Sequence, residues 1–482
     1  MPAPRALITR AGAASALNYI SDRSAHLLAG AFVVYGLLFA GWFTFHMPPF
    51  QNADEVAHFL RVAQIGEGQL IGIRFGHDKS GGPVDRGILT TAIPFIPIAF
   101  HPEVKVNPSL YAADPGWTGE HVWLNFGNTS IYSPVLYLPA VAGVWIGQAM
   151  HLKILPSLYL ARLGNALVAI TLAGLGLRLA GRTAPYLFLV LALPMSLALM
   201  ANASQDGVMD GCVTIAAGLV AASRQRPTDM ANRNTANRTL VMVSLALAAV
   251  CMGRPPYAPL AIIPLLLPGV RRGPRVLAAA LILLACAAWS AFAAVTAVVP
   301  LQPDVPAINP AGQLRWILVH PGETVLIVLD SAYAQSKDLA AAFVAGLGWL
   351  DVSFPPRYVE VVEWLLPIAA VLSLDGGDDA ETGRRRIMVS LSVAAAILAS
   401  GALICLGMFL TWTKVGSAPI AGLQGRYFLP LALAATVMLP GLPGLPRRWG
   451  ALRGALIVGV MLFPIVSLVV TMHAVEVRYY PP

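Results

Sequence analysis

The stretch Tyr132-Ser133-Pro134-Val135-Leu136-Tyr137-Leu138-Pro139-Ala140-Val141-Ala142-Gly143-Val144-Trp145-Ile146-Gly147-Gln148-Ala149-Met150-His151 decides how this chain threads a membrane. It is apolar and about as long as the roughly 20 residues a helix needs to cross a bilayer, yet Pro134 and Pro139 stand near its start. If it crosses fully, Arg178 and Arg182 fall outside, together with the basic stretch Arg224 to Arg238. If it dips in and returns on the outer side, both clusters become cytoplasmic. So do Arg271, Arg272 and Arg275, Arg384 to Arg386, and Arg447, Arg448 and Arg453. Cytoplasmic loops carry the excess of Lys and Arg, so one choice repairs the whole chain, and 131–151 reads as a re-entrant segment.

The composition fits that frame. Of 482 residues 57% are hydrophobic and 12% charged, with repeated apolar runs long enough to cross a bilayer, which describes an all-α polytopic membrane protein and excludes a soluble one. The net charge of +8 sits in short clusters between apolar runs. These are orientation marks, so nucleic acid is not an expected partner. Cys212, Cys251, Cys286 and Cys405 lie inside apolar runs without CxxC spacing, and neither a disulfide frame nor a metal site is expected from them. No cleavable signal peptide is expected: the first apolar run starts near His26, behind Arg5, Arg10 and Arg23, and is long enough to stay as an anchor.

With the first helix at 26–45, crossings are expected near 157–180, 183–202, 206–223, 239–253, 256–270, 276–299, 360–374, 387–412, 426–443 and 454–472. Eleven helices then cross, with the amino terminus cytoplasmic and the carboxyl terminus external. The whole chain, 1–482, is one transmembrane domain, with helical external regions at 47–130 and 300–363. The first is too long for a connecting loop. Gly253-Arg254-Pro255-Pro256 reads as a tight turn or broken helix. No internal repeat is visible, which weighs against an inverted-repeat transporter.

This threading gathers polar groups from distant parts of the chain on the outer face: Asp54 with Glu55, Asp206 with Asp210, Arg254 with Tyr257, Trp349 with Asp351, and Arg426 with Tyr427. The segment after Pro49 should be helical, capped by Asn52. Helical spacing then puts Asp54, His58 and Arg61 on one face. A carboxylate in a partly dry pocket can act as general base toward a hydroxyl. The plainer reading makes Asp54 a helix cap and Glu55 a complement to the helix dipole. Asp206 likewise fits an N-cap for a helix starting at Gly207. A snorkelling arginine in an aromatic belt explains Arg254 or Arg426 singly. Two of them on the outer side favour an anionic ligand, and a planar guanidinium suits a phosphate. His101, His121 and His320 lack ligand spacing, so no metal is assigned to them, and Walker, GxGxxG and GxSxG patterns are absent in any usable context.

Asn52-Ala53-Asp54-Glu55-Val56-Ala57-His58-Phe59-Leu60-Arg61, followed by Gly66 to Leu70, resembles the P-D-E-x-x-H-F-x-R signature of a bacterial family of predicted polytopic membrane proteins grouped with the GT-C glycosyltransferases. Ala203 to Gly207, Gly253 to Tyr257, Leu347 to Asp351 and Gly425 to Pro430 resemble its later landmarks in the same order. Ala53 stands where proline is common and Arg254 where lysine is common, but neither change removes a carboxylate or a positive charge.

The resemblance implies a GT-C-like bundle in the bacterial inner membrane with its active site on the periplasmic face. It implies a transferase for cell-envelope polysaccharide that takes sugar from a polyprenyl-phosphate donor and passes it, with inversion, to a glycan, lipid or protein acceptor. Asp54 or Glu55 would be the base, and Asp206 a second acid that orients the acceptor or binds a divalent cation, Mg or Mn. Arg254 and Arg426 would hold the lipid phosphate. His58, Arg61, Tyr257, Trp349, Asp351 and Tyr427 would contact substrate, and membrane lipids surround the bundle. The rival readings are a transporter or flippase of lipid-linked glycans, with ion-coupled acids, and a polymerase or ligase that needs no acid pair.

Overall fold

The computed structural model describes residues 4–225, 229–301, 304–374, 380–441 and 449–481. Helix α1 (Pro4–His46) ends at Met47-Pro48-Pro49, where two successive prolines withdraw backbone donors. After a short loop, α2 (Glu55–Gly66) leads into strands β1 (Ile73–Phe75), β2 (Lys79–Asp85) and β3 (His121–Asn125). Helix α3 (Leu138–Ala149) precedes α4 (Ile154–Leu179). The pair α5 (Ala184–Leu191) and α6 (Pro194–Met200) follows, then α7 (Asp206–Gln225), α8 (Arg233–Gly253) and α9 (Arg272–Thr296). Next come α10 (Pro310–Val319), α11 (Pro321–Ala334) and α12 (Pro356–Leu372). The chain closes with α13 (Ala380–Trp412), α14 (Leu429–Ala435) and α15 (Gly450–Tyr479).

Among the described residues seven helices are long and apolar enough to cross a membrane: α1, α4, α7, α8, α9, α13 and α15. The count reaches nine if each of two bent pairs is one span. This is a polytopic helical membrane protein. The seven coincide with seven of the eleven expected crossings, and the other four stretches take different forms. The stretch 183–202 is α5 and α6, bent by 82° before Pro194. The stretch 256–270 is largely a 3-10 helix, Pro255–Leu266, with Pro259 and Pro264 inside it. The stretch 360–374 falls in the 17-residue α12, with Pro367 inside. The stretch 426–443 opens as a 3-10 turn before α14, and its last two residues lie outside the described ones.

Broken helices expose backbone groups that lipid cannot satisfy, so they belong inside protein. That is where α5 and α6 lie: the chain is buried without a gap from Leu187 to Gly211. Helices α4 and α7 pack so closely beside them that a Cβ on Gly176 or Gly218 would strike the backbone of the opposing helix. Helix α3, at 12 residues, is well short of a crossing.

The region 47–130 is not the helical element expected. Its centre is an antiparallel sheet ordered β1-β2-β3, with Phe75 opposite Lys79 and Val84 opposite Val122. Lys79-Ser80-Gly81-Gly82-Pro83 reads locally as loop. The close approach decides otherwise, because a Cβ on Gly81 would meet Leu124 O and the Phe126 ring. The second region, 300–363, is mainly helical, through α10, α11, Ser336–Ala345 and the start of α12, with 304–309 and 346–355 outside helices; residues 302–303 lie outside the described ones.

The ends of the bundle sort the charge. At one end Arg453 binds Ser21 O, Leu372 O and Arg182 O, and Arg224 reaches Val437 O. Arg226, Arg447 and Arg448, counted with these clusters in the sequence, lie outside the described residues. At the other end the loop after α1, the start of α7, the end of α8 and the turn Gly425–Phe428 come together.

Candidate functional site

Asp54 holds φ 60° and ψ 8°, a left-handed conformation that an aspartate tolerates better than most residues. It occupies the N-cap position of α2, the place expected for Asn52, but its side chain makes no cap bond. The backbone turn sends the carboxylate away from the helix into a cavity of about 320 Å³. There Asp54 Oδ2 accepts from Arg426 at 2.7 Å and Oδ1 from Asn128 Nδ2 at 3.3 Å. A third of its side-chain surface stays open. Burial pushes its proton affinity up, but Arg426, His58 and Arg254 outweigh that and hold the carboxyl below its ordinary value.

Glu55, the next residue, goes the other way. Its side chain is fully buried and pairs with Arg162 at 2.5 and 2.7 Å. It also accepts from Phe50 N and Asn52 Nδ2. Arg162 spends its remaining donors on Thr44 O, Met47 O and Pro48 O. The pair is a clamp on the loop that carries Asp54, and Glu55 is outside the cavity wall. Sequence reasoning does not single out Arg162, although an arginine in the first half of the apolar α4, away from the Arg178 end, signals a buried partner.

Asp206 opens α7 itself and is not a cap for it. Its two carboxylate oxygens each lie 2.8 Å from Arg254 Nη2. It stands behind Arg254, and the cavity wall takes Arg254 but not Asp206. The Arg254 guanidinium lies 5.0 Å from the Tyr427 ring centre and 5.7 Å from that of Tyr132. Tyr257 donates to Tyr427 O at 2.8 Å, fixing the turn that bears Arg426. Asp210, one turn into α7, is buried, and neither of its carboxylate oxygens has a hydrogen-bond partner among the described residues.

His58 lines the cavity, with Nδ1 2.7 Å from the Tyr137 hydroxyl and its ring stacked on Tyr132. Burial pushes its pKa down to about 4, so it is neutral at pH 7. Arg61 does not share that face. It turns inward to Gln64 Oε1, Leu70 O and Tyr132 O, bracing the chain that frames the cavity. Trp349 and Asp351 also fall outside the wall. Asp351 pairs with Arg478 at 2.6 Å and accepts from Phe100 N and Trp349 N, while the Trp349 indole faces Phe50 O. Both stand beside the loop, outside this cavity's wall, and Trp349 lines a neighbouring cavity with Phe50 and Phe100.

The opposite wall is apolar, built by Ile404, Met408 and Trp412 of α13. The cavity therefore offers two guanidiniums for an anion, one open carboxylate beside them, and a greasy side for an aliphatic chain. Among the described residues no three His, Cys, Asp or Glu side chains gather as a metal site. Asp54 and Asp206, the acids nearest the cavity, are each engaged by an arginine.

Residues 37–435 match the model of a family described as predicted membrane protein, DUF2142. No curated protein and no solved structure matches the chain.

Proposed function

The chain belongs to the DUF2142 family of predicted membrane proteins, and from its cavity we propose that it is an integral membrane glycosyltransferase of the GT-C kind. It takes a sugar from a polyprenyl-phosphate donor and passes it, with inversion, to an acceptor hydroxyl on the non-cytoplasmic face. The observation that carries this reading is the single open carboxylate, Asp54, set against Arg426 and Arg254 in a cavity with one apolar wall.

In this mechanism the donor phosphate lies on the two guanidiniums and the isoprenoid chain along Ile404, Met408 and Trp412. The phosphate competes with Asp54 for Arg426, so donor binding frees the carboxylate beside the reacting carbon. Asp54 then takes the acceptor proton while the new oxygen–carbon bond forms and the bond from the anomeric carbon to phosphate breaks. The leaving phosphate keeps its charge on arginines already in place. A divalent cation at Asp206 would have to displace Arg254.

The proposed sidedness is supported by the basic residues gathered at the far end of the bundle, since the positive-inside rule favours a cytoplasmic place for them. Contacts at that end also support eleven traverses: Leu372 O and Ser373 at the close of α12, and Val437 beyond α14, meet residues from the arginine-bearing turns.

The test is transfer from undecaprenyl-phosphate hexoses and pentoses in proteoliposomes. The parent chain should form a new glycosidic product, and Asp54→Asn should slow its formation about a hundredfold or more with membrane insertion intact. Movement of label across the bilayer without new linkage would assign a flippase instead. Full transfer by Asp54→Asn would point to a polymerase or ligase chemistry.

A further inference from the structure

The helices α10 and α11 carry apolar side chains on both faces. Their inward side mixes Trp316, Ile317, Ile327 and Val328, packed around Phe409 and Ile420, with the buried polar groups Gln313, Thr324 and Ser331, Gln313 Oε1 accepting from Gly416 N at 2.9 Å and Ser331 Oγ from Ile420 N at 3.0 Å. Their outward side is apolar at helical spacing. Leu314 and Leu318 stand four apart on α10, and Val325, Leu329 and Tyr333 four apart on α11. Leu318 is 73% exposed and Tyr333 85%. A water-facing lid would carry a polar outward side, and a patch of this kind needs a cover.

Three observations select lipid as that cover. The chain is a polytopic membrane protein, and the two helices taken together are apolar enough to count among its candidate spans. They are too short to cross, however: 10 and 14 residues extend roughly 15 and 21 Å at about 1.5 Å per residue, and a 110° bend separates them. Their charges also sit where a membrane surface wants them. Glu323 and Asp330, seven apart, share one edge of α11 beside the apolar stripe, and Arg315 has a stem long enough to lift its charge to the headgroups.

We propose that α10 and α11 lie in the membrane interface, along its plane, with Leu314, Leu318, Leu326 and Leu329 on the acyl chains and the Glu323–Asp330 edge toward water. These helices carry the loop from Thr413 to Gln424 through Gln313, Ser331 and the bond from Gln335 Nε2 to Ile420 O. Gly422 and Gln424 of that loop line the cavity. The cavity rim is therefore hung from the lipid surface, and this placement stands whether or not the chain transfers sugar.

The test labels Leu318→Cys and Leu326→Cys with an NBD fluorophore, with Glu120→Cys as the aqueous reference and the parent chain as the blank. All three positions are at the surface, so folding is undisturbed. In phosphatidylcholine–phosphatidylglycerol liposomes, nitroxide at acyl position 5 should quench positions 318 and 326 roughly threefold or more above position 120, and iodide should show the opposite order. Equal iodide quenching at all three positions would overturn the proposal in favour of a water-facing lid. Protection of 318 and 326 from both quenchers would overturn it in favour of a second copy of the chain.

Discussion

Asp54 and Glu55 are adjacent in the chain, yet their carboxylates bind arginines from opposite directions, Asp54 at the cavity through Arg426 and Glu55 in the closed core through Arg162. Replacing each by its amide should therefore give opposite phenotypes. Asp54→Asn should lower transfer by about 10²- to 10⁴-fold, the usual worth of a general base, with a smaller loss of stability than Glu55→Gln, because a third of the Asp54 side chain is open to solvent. Glu55→Gln should cost about 3–5 kcal/mol of stability, because it leaves a buried guanidinium uncompensated. Melting of the purified chains beside single-turnover transfer separates the two.

Arg162→Met should be as damaging alone as Glu55→Gln. Combined with Glu55→Met it should recover most of the loss, since two apolar side chains can replace a buried ion pair at little net cost. Arg162→Lys should not rescue, because five N–H donors are in use and an ammonium has three. A double-mutant cycle on melting temperature reads this directly. Equal losses that simply add would refute the clamp.

Arg426→Ala should weaken the donor more than the acceptor. One charge-assisted bond to phosphate contributes about 1.5–3 kcal/mol, so the donor KM should rise roughly tenfold to a hundredfold. Acceptor KM should stay within about threefold, on the reading that the arginine meets the leaving group alone. Initial rates with each substrate varied in turn give both numbers.

His58 makes stability depend on pH in a defined window. Its pKa falls from 6.5 in the unfolded chain to about 4 in the fold, so between those values the unfolded chain binds more protons and stability rises with pH. Acidification across the window should remove up to about 3 kcal/mol. His58→Gln should flatten the slope. Asp54 acts lower: its depressed pKa contributes stability above about pH 4 that is lost as pH falls through its folded value. The difference between the parent and His58→Gln melting profiles from pH 4 to 8 isolates the histidine from Glu67 and His121, whose proton affinities the fold raises.

Six of the cavity's polar residues were legible in the sequence, namely Asp54, His58, Arg254, Tyr257, Arg426 and Tyr427, because charge at the ends of apolar runs is conspicuous in a chain this poor in charge. Which acid of the pair faces the cavity was not legible, since it depends on the left-handed backbone at Asp54 and not on spacing. Arg61 was misplaced because helical periodicity fixes a face, while its reach to Leu70 O and Tyr132 O is set by chain that packs against α2 later. The sheet was hidden for a similar reason. Its glycines look like loop until Leu124 O and the Phe126 ring close on Gly81. Tyr132 and Tyr137 carried no charge to mark them, and their value comes from the rings and guanidinium they meet.

The glycine contact between α4 and α7 has a mechanical consequence. Helix α4 carries Arg162, which grips the Asp54 loop, and α7 carries Asp206, which grips Arg254. With Gly176 and Gly218 bringing the two helices to backbone contact, these grips are bolted to one stiff chassis and cannot drift apart independently. On α13, which supplies the chamber's apolar side, a Cβ on Gly407 would instead meet nothing within 4 Å.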